Sequence, residues 1–470
     1  MSQTSTKAST KRSKRKTARN AAFERCHPNA AGIDIGAREH WVAVPADRDP
    51  DPVRSFSALT HSLHELADWL AACRIDTVAM EATGVYWVAL YEILEERGID
   101  VYLVNARHVH NVRGRKSDVI DCQWLQQLHS FGLLHRSFRP TAPIVELRTY
   151  VRQREMLVQT AGDYVRRMQK ALELMNIHLH KVISDITGDT GMAILRALVG
   201  GTYDPEDLSK HRHYRCRASR AQIADALRGN YRPEHMFALR QGLALYDAHI
   251  EQLRICDDQI HQTLDALAAA SERPPQPPPK PRKLQRPKGK QPTFEIRDPL
   301  VRITGVDLTQ LHAIAPLTAM NIIAEIGTDM TRWPSAKHFA SWLNLAPGTR
   351  ITGGKRLSGR RPPTTNRVAN LLRLAAVTVG RTNTAIGGFY RRMAGRLDAA
   401  KAVVATAHKL ARIIYTLLRN GGSFEDPGVE AYEQRYRSRM MHNLERRARA
   451  LGLELVPATS PLTDATGAVT

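Results

Sequence analysis

The chain has 470 residues, a formal net charge of +22 from 68 Lys and Arg against 46 Asp and Glu, and 43% hydrophobic residues. That length exceeds one compact core and suggests two or three folded units. So large a positive charge opposes compaction and points to a polyanionic partner, nucleic acid rather than membrane. No run of about 18 apolar residues occurs and the N-terminus is basic without an apolar core, so the expectation is no membrane span, no secretory leader and a cytoplasmic, nucleoid-associated protein. Five scattered cysteines (Cys26, Cys73, Cys122, Cys216, Cys256) never form a C-x-x-C pair, which argues against a disulfide framework or a structural zinc site. His211 and His213 near Cys216 read as an exposed basic segment rather than a ligand set.

Residues 1–20 carry seven Lys or Arg and no acid, and 1–28 as a whole reads as a disordered basic arm. From about 29 the pattern changes to short apolar runs: Gly32 to Ile35, Trp41 to Val44, and one around Val53 to Phe56, a meander of antiparallel strands. Leu63, Leu66, Ala67, Leu70 and Ala71 recur at helical spacing. A strand over Asp76 to Met80, a helix over Val85 to Glu96 and a strand over Val101 to Val104 follow, an α/β order that fills 29–140.

Four acids stand out in this stretch. Asp34 and Glu81 close strand-like runs, each with a glycine (Gly36, Gly84) within three residues to turn the chain. Asp118 and Asp121 lie three apart in Lys116-Ser117-Asp118-Val119-Ile120-Asp121, a spacing that puts both on one helix face. Four carboxylates at one sheet edge cannot all stay ionised without cations between them. Mg²⁺ fits such hard oxygen ligands, and a pair of ions roughly 3.5–4 Å apart clamps both oxygens of a phosphodiester displacement. Singly, each acid could be a surface charge, and Asp118 or Asp121 could be a helix N-cap. The basic run before them, with Arg107, Arg113, Arg115 and Lys116, would draw a phosphate backbone onto the acids.

From 141 to 272 the spacing predicts long helices. Ile144, Leu147, Val151, Leu157, Val165, Met168 and Leu172 form one stripe, and Phe237 to Ala268 is a candidate antiparallel return. A coiled-coil or dimerising element and an ordinary two-helix hairpin both fit this pattern. Residues 273–292 hold eight prolines and seven Lys or Arg, so 273–296 reads as a stiff cationic linker. Beyond it, 297–436 is mainly helical by period. Ile303-Thr304-Gly305-Val306-Asp307 sits between short helical runs in a manner that can present backbone N–H groups to phosphate. The segment 344–366, with Ile351-Thr352-Gly353-Gly354-Lys355-Arg356-Leu357-Ser358, is glycine-rich, cationic and hydroxyl-bearing, and reads by default as a solvent loop. Residues 437–470 read as a tail, basic and then rich in Thr, Ala and Pro.

Taken together, Asp34, Glu81, the Lys-Ser-Asp-x-x-Asp element and the later Ala346-Pro347 and Ile351-Thr352-Gly353-Gly354-Lys355 resemble the DEDD transposase family of insertion sequences over about 29–420. The resemblance implies an N-terminal RuvC-like domain of the ribonuclease H fold, a helical coiled-coil region and a C-terminal, mainly helical transposase domain. It implies a recombinase that cuts and rejoins DNA of its own element, guided by a structured bridge RNA and working as a homo-oligomer, dimer or tetramer, on double-stranded DNA. Asp34, Glu81, Asp118 and Asp121 would hold Mg²⁺, two ions by expectation, while a hydroxyl attacks phosphorus to form a transient DNA–protein ester. The family's serine corresponds here to Thr352, whose β-branch crowds the approach; Ser358 is the alternative nucleophile, and an impaired copy is the third possibility. Lys355 and Arg356 would bind phosphate. Two other functions compete: a RuvC-like nuclease using metal-activated water, and a decayed element that only binds nucleic acid.

Overall fold

The computed structural model describes residues 25–82, 84–105, 117–272, 291–348, 350–358 and 365–456, apart from the side chains at 350 and 356–358. Residues 1–24 of the expected basic arm, most of the expected linker, and Arg107, Arg113, Arg115 and Lys116 lie outside the described residues; residues 25–28, expected to be disordered, are instead held against the sheet unit, His27 N–H donating to Ser130 O at 3.0 Å. The chain divides into two compact units, residues 1–139 and 140–470.

The first unit is a five-stranded mixed sheet with helices on both faces. Strands β1 (Ala30–Ile35), β2 (Glu39–Ala43) and β3 (Val53–Ser57) form the antiparallel meander. Helix α1 (Thr60–Ala72) then crosses to β4 (Thr77–Glu81), and α2 (Trp87–Glu96) to β5 (Asp100–Val104), both strands parallel to β1. The order across the sheet is β3-β2-β1-β4-β5. Alternation along each strand decides what packs where. Ile33, Val78, Met80, Val101 and Leu103 are buried with Leu63, Leu66, Leu70, Leu90 and Leu94 from α1 and α2. The opposite face, with Ala79 and Val104, is covered by Leu125 of α3 (Asp118–Ser130). Helix α2 begins at Trp87, two residues later than its period suggests.

The second unit is built on two long helices, α4 (Ala142–Leu174) and α9 (Pro233–Ala269), packed against one another within the same chain. The stripe that admitted a coiled coil or a hairpin therefore forms an intramolecular hairpin. Between them α5 (Leu179–Val182), α6 (Asp189–Val199), α7 (Pro205–Ser209) and α8 (Arg220–Ala226) close a core around Met168, Leu172, Ile194, Leu195, Ile223 and Leu239. One ionic pair is buried in the hairpin: Arg154 donates through Nε to Asp257 Oδ1 at 2.5 Å and through Nη2 to Oδ2 at 3.3 Å.

The C-terminal helices belong to this same unit. They are α10 (Arg297–Thr304), α11 (Pro316–Ile326), α12 (Ala336–Trp342), α13 (Arg367–Val379), α14 (Ala385–Arg396), α15 (Ala399–Asn420) and α16 (Gly428–Ala450). Arg148 of α4 ties them to the hairpin by donating to the Ala324 and Glu325 carbonyls, which would otherwise be orphaned at the end of α11. Phe339, Trp333 and Tyr415 form an aromatic core, with the Tyr415 hydroxyl donating to Trp333 O at 2.7 Å. Two features differ from the sequence reading. Residues 350–358 are not an open loop but a two-stranded hairpin, β6 (Arg350–Thr352) and β7 (Lys355–Ser358). The expected tail from 437 begins inside α16, where high helix propensity of Arg, Met, Leu and Glu outweighs the absence of a buried stripe. Among the described residues no helix is long and apolar enough to cross a membrane.

Candidate active site

Register places the first two acids. β1 and β4 run parallel with Gly32 opposite Ala79 and Ile33 opposite Met80. One step further, Asp34 and Glu81 occupy neighbouring positions at the carboxyl ends of adjacent strands. By alternation both face the same side as Gly32 and Ala79, the side that α3 covers.

Gly32 sets how closely α3 approaches. A Cβ at that position would lie 2.3 Å from both Cys122 O and Gln126 N, so only glycine lets the helix backbone rest directly on the strand. Gln126 fastens the contact, its Nε2 donating to Ala30 O at 3.2 Å and to Ser130 Oγ at 3.0 Å. Sequence reasoning missed Gly32 and Gln126; a glycine in the interior of a short, mostly apolar strand was the available signal of close backbone approach.

The other two acids ride on the first turn of α3. Its N-cap is Ser117, whose Oγ accepts from Ile120 N at 3.3 Å, so neither Asp118 nor Asp121 serves as the cap. Both lie where the helix dipole favours negative charge. The buried Cys122 thiol reports the local field: burial pushes it up to about 12, and the Asp34 and Asp121 carboxylates add to the shift. Asp34 from the sheet and Asp121 from the helix therefore act on one spot. Asp118 is exposed at the helix start, and Glu81 is partly buried on the adjoining strand. The oxygen donors suit a hard cation in kind. As they stand, no three His, Cys, Asp or Glu side chains among the described residues are gathered closely enough to hold an ion.

At the far end of α3 the buried His129 braces the sheet. Thr77 Oγ1 donates to Asp100 O at 2.9 Å and stands 2.8 Å from His129 Nε2, so the ring nitrogen is the donor in that second contact. His27 stacks on the imidazole with centroids 4.9 Å apart. Burial, and secondarily His27, hold His129 down to about 4, which keeps it neutral.

In the second unit, Thr352 and Lys355 are opposite partners closing the β6–β7 hairpin. The two residues between them, Gly353 (φ 55°) and Gly354 (φ 77°), both adopt the left-handed backbone that a tight two-residue hairpin turn requires. Paired residues share a face, so the hydroxyl of Thr352 and the ammonium of Lys355, both exposed, project to one side of the turn. Ser358 pairs with Arg350 at the other end of the ladder, beyond a register irregularity, and Arg356 pairs with Ile351.

The segments that carry these two constellations also match known families. Residues 31–177 match the DEDD transposase model of IS110 type, described as a transposase, and residues 307–391 match the model described as transposase IS116/IS110/IS902 family. The acid-bearing sheet and the Thr352 hairpin thus lie one in each matched stretch. Within these two stretches the chain is similar to transposases of the IS110 type. A protein of Streptomyces coelicolor, named as a candidate mini-circle transposase for IS117, is 33% identical over 85 residues, 18% of this chain. The matched stretch spans 20% of that relative's own length.

Proposed function

We propose that this protein is a transposase that cuts and rejoins DNA of an insertion sequence through a covalent DNA–protein intermediate. The observation that supports the reading is that Asp34 and Glu81 end adjacent parallel strands under a helix whose first turn carries Asp118 and Asp121. The sheet order β3-β2-β1-β4-β5, antiparallel and then parallel, supports a RuvC-like domain of the ribonuclease H fold. Asp34, Glu81, Asp118 and Asp121 would hold Mg²⁺, which when bound stabilises charge on the phosphoryl oxygens. The cation supplies the counter-charge that lets the carboxylates draw together.

Thr352 is the nucleophile on this reading. Its Oγ forms a bond to phosphorus while one P–O ester bond of the DNA breaks, and the leaving oxygen takes up a proton. The ester keeps the bond energy, so a DNA hydroxyl can reverse the step on a new strand. Lys355, on the same side of the turn, neutralises a phosphoryl oxygen during attack. Ser358 at the far end of the ladder lacks this pairing. Arg107, Arg113, Arg115, Lys116 and Arg356 contribute phosphate contacts. Double-stranded DNA is the substrate and a structured guide RNA delivers sequence choice, consistent with a chain that shows no zinc finger or RNA-recognition signature. The working form is a homo-oligomer.

The test is a trapping assay with Mg²⁺, the RNA encoded beside the gene, and DNA spanning an element junction. A DNA–protein band on denaturing gels that disappears in Thr352→Ala and Asp121→Ala but persists in Ser358→Ala is the expected result. Cleavage that needs Asp121 yet leaves no protein-linked band would replace this reading with a hydrolytic nuclease, and absence of strand breakage in the native protein would leave only a binding role.

A further inference from the structure

Helix α16 lies outside both matched segments and has no buried residue along its 23 positions. Only its first turns are anchored. Val429 and Tyr432 pack against Gly388, where a Cβ would come within 3.0 Å of each. The Arg392 guanidinium lies over Tyr436 at 3.4 Å and over Tyr432 at 5.3 Å, and Lys409 approaches Tyr432 at 5.2 Å. The remaining turns carry Arg435, Arg439, His442, Arg446 and Arg449 at spacings of four, three, four and three, which keeps all five on one face. At 1.5 Å per residue that stripe is roughly 21 Å long. The sole acid after Glu433 in the helix, Glu445, lies about 80° from the midline of the stripe and about 40° from Arg449, its edge member four residues on.

The arginines of this stripe differ from four other exposed arginines of the unit. Arg166, Arg196, Arg228 and Arg254 each sit against a carboxylate, of Asp163, Asp247, Asp225 and Glu251 respectively. Among the described residues none of the four stripe arginines, out of six in α16, makes such a pair; Arg446 reaches only Asn443 Oδ1, at 3.4 Å. A helix fixed at one end, presenting four unneutralised guanidinium groups in line, complements a phosphodiester backbone.

We infer that α16 is a docking helix for duplex DNA, lying along the major groove with its arginine stripe on flanking phosphates. The B-form major groove, about 12 Å wide, admits an α-helix, whereas the major groove of A-form RNA is too deep and narrow for side chains to enter. The inference rests on the reading that DNA is the substrate, and it adds a contact surface separate from the acids and from the Thr352 hairpin.

Counterion release supplies the test, because each neutralised phosphate contributes about 0.9 to the slope of log affinity against log salt. Binding of the full chain to duplex DNA and to duplex RNA of the same sequence would be measured between about 50 and 200 mM salt. The variant Arg435→Gln/Arg439→Gln/Arg446→Gln/Arg449→Gln should flatten the DNA slope by about 3 to 4. The control Arg166→Gln/Arg196→Gln/Arg228→Gln/Arg254→Gln removes the same charge and should change it by less than about 1. Replacing the same four stripe arginines by lysine, which keeps the charge, should restore the slope; failure to restore it would assign the loss to a damaged helix and overturn the inference. An unchanged slope, a change equal to the control, or a change seen only with RNA would also overturn it. A native chain without affinity for DNA would instead remove the functional reading on which it rests.

Discussion

Gly32→Ala is the sharpest probe of how the acids are positioned. The added methyl would stand 2.3 Å from Cys122 O and Gln126 N, against 3.4 Å for ordinary contact, so α3 must lift from β1 by about 1 Å. Overpacking of this kind typically costs about 1–3 kcal/mol, and the Gln126 bond to Ala30 O would stretch with it. Asp118 and Asp121 move with the helix while Asp34 and Glu81 stay with the sheet. A displacement of about 1 Å in a reacting constellation can reduce rate about 100-fold. Stability would be followed by urea unfolding and activity by strand cleavage at a temperature where the variant is fully folded. Ala37→Ser, in the exposed turn after β1, should alter neither. A Gly32→Ala protein with the native unfolding midpoint and native cleavage would refute the claim that helix backbone on strand backbone sets the site.

Further outcomes follow from other parts of the molecule. His129 is held neutral in the fold at about 4 against an ordinary value of 6.5, so the unfolded chain binds the proton first. Its contribution is therefore full above pH 6.5, declines as pH falls from 6.5 to about 4, and is flat below; at about 1.4 kcal/mol per unit it reaches at most about 3 kcal/mol. Urea midpoints across that window should fall less steeply in His129→Gln than in the native protein. Arg154→Leu leaves Asp257 as a buried unpaired charge and should cost about 3–5 kcal/mol, whereas Arg154→Leu/Asp257→Leu should recover most of it in thermal unfolding. Gly354→Val forces a β-branched residue to a φ of 77° and should abolish the covalent DNA adduct while shifting the stability of the unit by less than about 1 kcal/mol.

Local pattern carried the N-terminal sheet well, because each strand is a short apolar run bounded by turn residues and each crossover helix has one apolar face. The pairing of Asp34 with Glu81 was not readable in the same way. It depends on a parallel register between segments some 47 residues apart, which no local period encodes. The β6–β7 hairpin was hidden for a different reason: its strands are short and cationic, and the Gly-Gly turn signal lacked the flanking alternation that identifies a hairpin. Helix α16 escaped notice because hydrophobic periodicity is the main helix signal, and a helix that buries nothing provides little of it.

The Arg154–Asp257 pair has a consequence for alignment rather than for strength. Two long helices packed side by side could slide past each other by one or two turns and still meet hydrocarbon with hydrocarbon. Opposite Arg154, however, the positions one or two turns from Asp257 are Ile250, Leu253, Ile260 and Leu264. Any such slip would set the guanidinium against an aliphatic side chain in place of the Asp257 carboxylate. One buried charge thus indexes the whole hairpin, selecting a single setting out of several that would fill the same volume. Because Arg148 on the same helix fastens the end of α11, that setting also fixes where the C-terminal helices begin.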